Sequence, residues 1–314
     1  MRIPELSDIQ AAHSRIGPFI HCTPVMSSRQ LNAMFDCEMF FKCENFQKVG
    51  AFKFRGATNA VLSLNEEEKR RGVVTHSSGN HAAALALAAR INGVKANIVM
   101  PDNAPVVKKN AVAGYGAEIT FCKPTLQARE ETTRAIMKKT GATLIHPYDN
   151  FNVICGQGTA ALELLSEKND LDIVIVPIGG GGLMSGTSTC VKGINNSIQV
   201  IGAEPLNAND AYLSFKTGKL IPSVNPLTVA DGLLTSLSEL TFSIIRKNVD
   251  EILTVREDSI IECMLLVWER MKIIIEPSSA TVLAIIKENP DAFRGKRVGL
   301  IISGGNVDFR KLPF

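Results

Sequence analysis

No apolar run in this 314-residue chain is long enough to cross a bilayer. Stretches such as LDIVIVPI, at 171–178, fall far short of the roughly 20 residues a spanning helix needs. Basic runs and interleaved basic and aromatic residues are missing too. A formal net charge of +3 is too small and too evenly spread to mark a nucleic-acid footprint. The opening MRIPELSDIQ is polar and charged, unlike a secretory signal. Seven cysteines, at 22, 37, 43, 122, 155, 190 and 263, form an odd, scattered set with no CxxC and no Cys/His pair at zinc spacing. Cys155 and Cys190 fall in apolar helical stretches, where a thiol packs as a small hydrophobe. These absences lead us to expect a reduced, cytoplasmic protein with neither nucleic acid nor membrane as a partner. Internal repeats, low-complexity tracts and Pro/Ser-rich linkers are also lacking.

What is present is an alternation of short apolar runs and helical periodicities. EMFFKC (38–43), GVVTH (72–76), ANIVM (96–100) and AEITF (117–121) read as strands, as do DIVIVP (172–177), QVIGAE (199–204), EILTV (251–255) and RVGLIIS (297–303). Between them lie amphipathic segments such as HAAALALAARI, APVVKKNAVAGYG, LQAREETTRAIMKK and TAALELLSEK. Strand-then-helix order predicts an α/β protein with parallel sheets covered on both faces. Two lobes are expected: a small one over 72–145, and a larger one from 1–71 plus 146–314. A cleft between such lobes is the usual ligand site.

Four segments carry chemistry. In PIGGGGLMSG (177–186) an apolar strand ends, four glycines follow, and a helix begins near Leu183. Glycines there can turn several N–H groups toward one anion, and the helix adds its positive end. A phosphate monoester suits this cup. A dinucleotide is the rival: Gly180-x-Gly182 is well placed and Glu204 lies at the end of the next strand, yet Ser185 stands where a third glycine belongs. In AFKFRGA, Lys53 sits between Phe52 and Phe54, where partial desolvation would make its amine nucleophilic; taken alone, it would be a solvated surface charge. SSGNH (77–81) opens an Ala-rich helix with hydroxyls, an amide and free N–H groups suited to a substrate carboxylate, or simply to capping. Finally, IISGGNVDF (301–309) ends a buried strand in Ser303 and two glycines, which let another molecule approach the backbone.

In this order, AFKFRGA, SSGNH, GGGGL and SGGN resemble the serine racemase and serine/threonine dehydratase family over nearly the whole chain, from HCTPVMSS near 21 to SGGNVDF near 303. The resemblance implies a pyridoxal-phosphate enzyme of the tryptophan-synthase-β-like fold (fold type II), with two open, twisted, mostly parallel sheets and flanking helices. By the same resemblance, Lys53 carries the cofactor as a Schiff base, Phe52 packs near the pyridine ring and Asn80 bonds its 3′-oxygen. Gly179, Gly180, Gly181, Gly182 and the Leu183 amide hold the phosphate, Ser303 meets the ring nitrogen and Glu276 sits near the ring. A serine there cannot keep the ring nitrogen protonated as an aspartate would, which suits β-elimination or α-proton exchange. Lys53 would move the α-proton on one face and Ser78 on the other, giving racemisation; loss of the β-hydroxyl instead gives an oxo acid and ammonia.

Further expectations follow from the same family. Ser78 is typically serine in racemases and often alanine in threonine dehydratases. Ser77, Ser78, Asn80, His81, Arg129 and Thr235 would contact substrate; on pattern alone, His81 could face solvent and Arg129 could be an exposed helix residue. Glu204, the Ala208 carbonyl and Asp210 would ligate Mg2+, Mn2+ or Ca2+, although by pattern alone the two acids are solvated charges. Tyr148 and Thr235 depart from the mammalian-type racemases, and PYD is closer to the dehydratase-like members. ENFQKVG could belong to an ATP effector site at a homodimer interface. Serine racemase with serine dehydratase activity is therefore the leading expectation, on L-serine or D-serine, with ammonia-lyase action on L-threonine or threo-3-hydroxyaspartate close behind. An NAD-dependent oxidoreductase and a non-catalytic protein that retains the fold are the distant alternatives.

Overall fold

The structure is a computed structural model that describes residues 2–104 and 106–312. All eight expected strands form, each within about two residues of its expected bounds. They are β2 (Glu38–Cys43), β3 (Val73–His76), β4 (Ala96–Pro101), β5 (Glu118–Cys122), β7 (Ile173–Pro177), β8 (Gln199–Pro205), β9 (Glu251–Val255) and β10 (Arg297–Ile302). Two short strands escaped the pattern: β1 (Val25–Met26) and β6 (Thr143–Leu144). Two residues cannot establish a periodicity, so nothing in the sequence marked them.

The strands form two sheets, β1-β2-β10-β7-β8-β9 and β5-β4-β3-β6. Every pairing is parallel except β1 with β2. Strands β4 and β7 are buried along their full length, which is why ANIVM and DIVIVP read as continuous apolar runs. Two apolar clusters flank the six-stranded sheet, one around Phe41, Ile285 and Leu300, the other around Leu164, Val176 and Val200. A third joins the four-stranded sheet to helix Lys53–Leu62 through Phe54, Ala57, Val61, Leu85 and Ile98. The expected helix APVVKKNAVAGYG forms over Val106–Gly114; its Pro105 lies outside the described residues.

Helices Lys53–Leu62 and Phe151–Glu167 cross glycine on glycine. A Cβ added to Gly156 would lie 2.6 Å from Gly56 Cα, so only glycine allows the backbones this close. That contact seats the start of helix Lys53–Leu62 on the larger sheet's helices, with its apolar face in the smaller sheet's cluster. Among the described residues, no helix is long and apolar enough to cross a membrane.

Candidate active site

Ligands of open parallel sheets collect beyond the carboxyl ends of the strands. Here four such ends converge: Ser77–Gly79 after β3, Ile145–Tyr148 after β6, Ile178–Gly182 after β7 and Ser303 after β10. Between them opens a cleft of about 330 Å3. Its lining includes Phe52, Lys53, Ser77, Ser78, Asn80, His81, Arg129, Gly179–Leu183, Thr235, Glu276 and Ser303. Every residue the family resemblance implied for cofactor or substrate thus borders one cavity. Glu204, Ala208 and Asp210 lie apart, at the end of β8.

Lys53 is half-buried, and its Nζ donates to the Pro147 carbonyl at 3.0 Å. Burial lowers its pKa to about 8, with Glu276 pulling back upward. The amine is therefore far nearer its neutral, nucleophilic form at physiological pH than a solvated lysine, and the surface-charge reading of the local sequence is corrected. The segment is tied down on the cleft side: Phe52 N donates to Ser303 O at 2.9 Å, and Ala51 bridges Gly304.

Helix Gly182–Ile194 begins at Gly181, whose φ of 85° is left-handed, and no side chain caps it. Its first-turn N–H groups consequently have neither intrahelical nor side-chain partners, an arrangement suited to an anion. The neighbouring glycines have a second reason to be glycine. A Cβ on Gly179 would meet Leu233 Cα at 3.0 Å, one on Gly181 would meet Leu237 Cδ2 at 2.7 Å, and one on Gly180 would enter the Tyr148 ring. The glycines of this cradle pack closely against Leu233, Leu237 and Tyr148, two of which also line the cleft, and the unpartnered N–H groups of the helix start fit a phosphate monoester.

The ring-side residues fit a pyridine. Ser303 is buried, with its hydroxyl 3.0 Å from Ser279 Oγ. Asn80 Nδ2 donates to both Glu276 carboxylate oxygens, at 3.1 and 3.2 Å, while its Oδ1 accepts from Asn306 Nδ2 at 2.9 Å. Asn306 thereby fixes which way the Asn80 amide points. Burial lifts the Glu276 carboxyl to about 7, against the hydrogen bond from Asn80.

Two further expectations are corrected or sharpened here. His81 does not face solvent: it is 2% exposed, its Nε2 donates to the Ile145 carbonyl at 3.0 Å and Nδ1 is left without a partner. Burial lowers its pKa to about 3, so it stays neutral. Arg129 is not a fully exposed helix residue; it is partly buried against the cleft, and its Nε is buried without a partner.

The sequence reading overlooked Pro147, His76 and His146. His146 Nδ1 accepts from Asp149 N at 2.9 Å, which leaves the proton on Nε2, and burial holds its pKa at about 4. Its ring stands edge-on to Tyr148 at 4.6 Å. The signal was the segment HPYD following a strand end, hidden because β6 is only two residues long.

Away from the cleft, Glu204 and Asp210 are 1% and 5% exposed, which overturns their reading as solvated charges. Glu204 accepts from the backbone of Ala211 and Tyr212 at 2.9 and 2.7 Å, and burial lifts its pKa to about 8. Glu204 does not line the cleft that the glycine loop borders, which removes the ground for a dinucleotide there. Asp210 Oδ2 is buried with no partner, and Ala208 is buried in the intervening turn. An orphaned carboxylate oxygen beside a second buried carboxylate is a donor set that fits a hard cation. Among the described residues, no cluster of three or more His, Cys, Asp or Glu side chains forms a metal site on its own.

The family model described as "Pyridoxal-phosphate dependent enzyme" matches residues 16–304. The serine racemase of Dictyostelium discoideum is 52% identical over 311 residues, covering 98% of this chain and 96% of that protein. The beta-hydroxyaspartate dehydratase of Paracoccus denitrificans is 49% identical over 314 residues, covering 100% of both. The solved structure of maize serine racemase superposes with a TM-score of 0.96 at 43% identity, covering 98% of this chain and 95% of that one.

Proposed function

The chain belongs to the family of pyridoxal-phosphate dependent enzymes, and on that premise we propose that it racemises serine and also deaminates it to an oxo acid, losing the β-hydroxyl as water and taking up one water as ammonia is released. The observation that carries the reading is the Lys53 amine, shifted toward neutrality and held at Pro147 O, in one cleft with Ser78 and an uncapped helix start.

When bound, pyridoxal phosphate supplies the electron withdrawal that makes an amino acid's α-proton removable. Lys53 would anchor it, Gly179–Gly182 and the Leu183 amide would hold its phosphate, and Phe52, Asn80, Glu276 and Ser303 would line its ring. Lys53 Nζ takes or returns the α-proton on one face of the substrate, with the Pro147 carbonyl orienting the amine. The Ser78 hydroxyl is assigned the proton on the other face, since racemisation needs a carrier on each. The free N–H groups at the start of helix Asn80–Ile91, with Ser77, are assigned the substrate carboxylate. His81, its donor spent on Ile145 O, offers only an acceptor at Nδ1 and shapes the site as a neutral ring.

A second reading is elimination from threo-3-hydroxyaspartate. The partnerless Nε of Arg129 favours it, as does the likeness to the Paracoccus dehydratase and to the yeast L-threo-3-hydroxyaspartate ammonia-lyase, 45% identical over 312 residues. Thr235, near Tyr148, would border either substrate's β-group.

The proposal extends to a small domain over 72–145 and a large one from 1–71 and 146–314; to a divalent cation (Mg2+, Mn2+ or Ca2+) at Glu204, Ala208 and Asp210; to a cytoplasmic homodimer; and to ATP as an effector. The partnerless Asp210 oxygen supports the cation, and seven free cysteines support a reducing compartment. The dimer and ATP rest on the resemblance. Assays of L-serine, L-threonine and both 3-hydroxyaspartate diastereomers, with D-isomer and oxo acid scored separately, test the function. D-serine from L-serine is the expected result; oxo acid from hydroxyaspartate alone would install the second reading.

A further inference from the structure

Directly behind the reactive lysine lies a buried ion cluster that the proposed chemistry does not use. Lys42, Glu44 and Arg55 are 0% exposed, and Glu163 is 5% exposed. Arg55 forks onto two carboxylates at once. Its Nε and Nη2 donate to Glu44 at 2.6 and 2.8 Å, and its Nη1 and Nη2 donate to Glu163 at 2.7 Å each. Nη1 also donates to Thr159 Oγ1 at 3.2 Å, which occupies all five guanidinium N–H groups. Lys42 Nζ completes the set, donating to Glu163 Oε2 and to Thr23 O at 2.6 Å each. Two cations face two anions, so the cluster is neutral. Burial alone would push the Glu163 carboxyl up; the hydrogen bond and charge of Arg55, then Lys42, hold it below its ordinary value.

Residues two apart on a helix point about 200° apart. Lys53 and Arg55 therefore occupy opposite faces of the same first turn, one toward the cleft and the other into the cluster. Phe52 at its N-cap makes no side-chain cap bond, and the Gly56 N–H of that turn is taken instead by Gln157 Oε1 at 3.2 Å. The apolar neighbours Phe54 and Ala57 pack in the smaller sheet's cluster. Arg55 instead reaches Glu44, the residue after β2, and helix Phe151–Glu167 through Thr159 and Glu163, on which Lys42 of β2 also converges. Beside the backbone bonds of Phe52 N to Ser303 O and Gly56 N to Gln157 Oε1, Arg55 is the charged side-chain bond from this turn to the larger sheet and its helices, the body that also carries the glycine cradle.

We propose that Arg55, clamped by Glu44 and Glu163, is a positioning residue that fixes the rotation of the first helical turn so that Lys53 Nζ meets both Pro147 O and a cofactor seated in the glycine cradle. A simple ion pair would hold this turn by charge alone; two rigid forks hold it in angle as well. The buried charges give no stability argument for keeping them, since an apolar replacement is often as stable. Orientation is what the forks add.

This inference rests on the proposed role of Lys53, and its test separates the two. Two variants are made in the full chain as holoenzyme. R55K keeps the charge and loses the forks; R55M/E44L deletes one neutral pair and leaves Lys42 paired with Glu163. For each, kcat per bound cofactor, KM for L-serine, the melting temperature and the fraction of cofactor trapped on Lys53 by borohydride are measured. Both variants are expected to lose at least tenfold in kcat with KM within about twofold, and to trap a smaller fraction on Lys53. Counting per bound cofactor makes any folded fraction report. Wild-type kcat and trapping in both variants, whatever their melting temperature, would overturn the proposal. No trapping on Lys53 in the wild type would instead overturn the functional reading itself.

Discussion

Gly180→Ala is the sharpest perturbation of the cradle. Among the four glycines only Gly181 has the left-handed backbone that disfavours a side chain, so alanine at 180 carries no such strain. Its cost comes from a neighbour. The added Cβ would stand 2.5 Å from Tyr148 Cγ and closer still to Cδ1 and Cε1, where ordinary contact begins near 3.4 Å. Ring or loop must give by about 1.1 Å at the nearest ring carbon, an overpacking of about 1–3 kcal/mol. If that displacement falls on the loop, cofactor affinity drops about 5- to 150-fold. Tyr148→Ala removes the obstacle, so the loss should shrink in the double variant. A double-mutant cycle on cofactor Kd, followed by absorbance or fluorescence titration, reads the coupling. Unchanged affinity in G180A, or an equal loss with and without the Tyr148 ring, would refute the packing argument.

Other predictions follow from the same geometry. Ser78→Ala should abolish conversion between serine enantiomers while retaining oxo-acid formation from the L-isomer; equal loss of both would remove Ser78 from its assigned face. In cofactor-free protein, acylation of Lys53 should rise through about pH 8, and E276Q should move that midpoint lower by removing a negative charge; a rise would show that another group sets it. Glu276 holds its proton more tightly folded than unfolded, so its ionisation removes stability as pH climbs from 4.5 to about 7. E276Q should flatten that part of the melting-temperature curve, and an unaltered slope would contradict the burial assigned to it. Saturating Mg2+ should raise the melting temperature by several degrees, from about 2.7 kcal/mol at a hundredfold excess over Kd. D210N should erase that gain; a persistent gain would place the cation elsewhere.

The periodicity of the apolar runs made eight of the ten strands legible, because each is long enough to alternate or to stay apolar throughout. β1 and β6 were illegible for want of length, and with β6 went Pro147 and His146, which reach the cleft only because of where that short strand ends. The four glycines spoke plainly of an anion, yet not of Tyr148, which lies some thirty residues before them and meets them only in three dimensions. Burial was the hardest property to read from local pattern. Lys42, Arg55, Glu204 and Asp210 look like surface charges in sequence, and each is interior because distant segments supply its partner or its cover. The family resemblance implied a ligand role for Glu204; nothing anticipated the cluster behind Lys53.

The most direct test of the account is borohydride reduction of the purified protein followed by peptide mapping. A pyridoxyl group on Lys53, with the matching absorption band bleached by the reduction, is the predicted result. An adduct on another lysine, or a bound nicotinamide cofactor and no adduct at all, would contradict it.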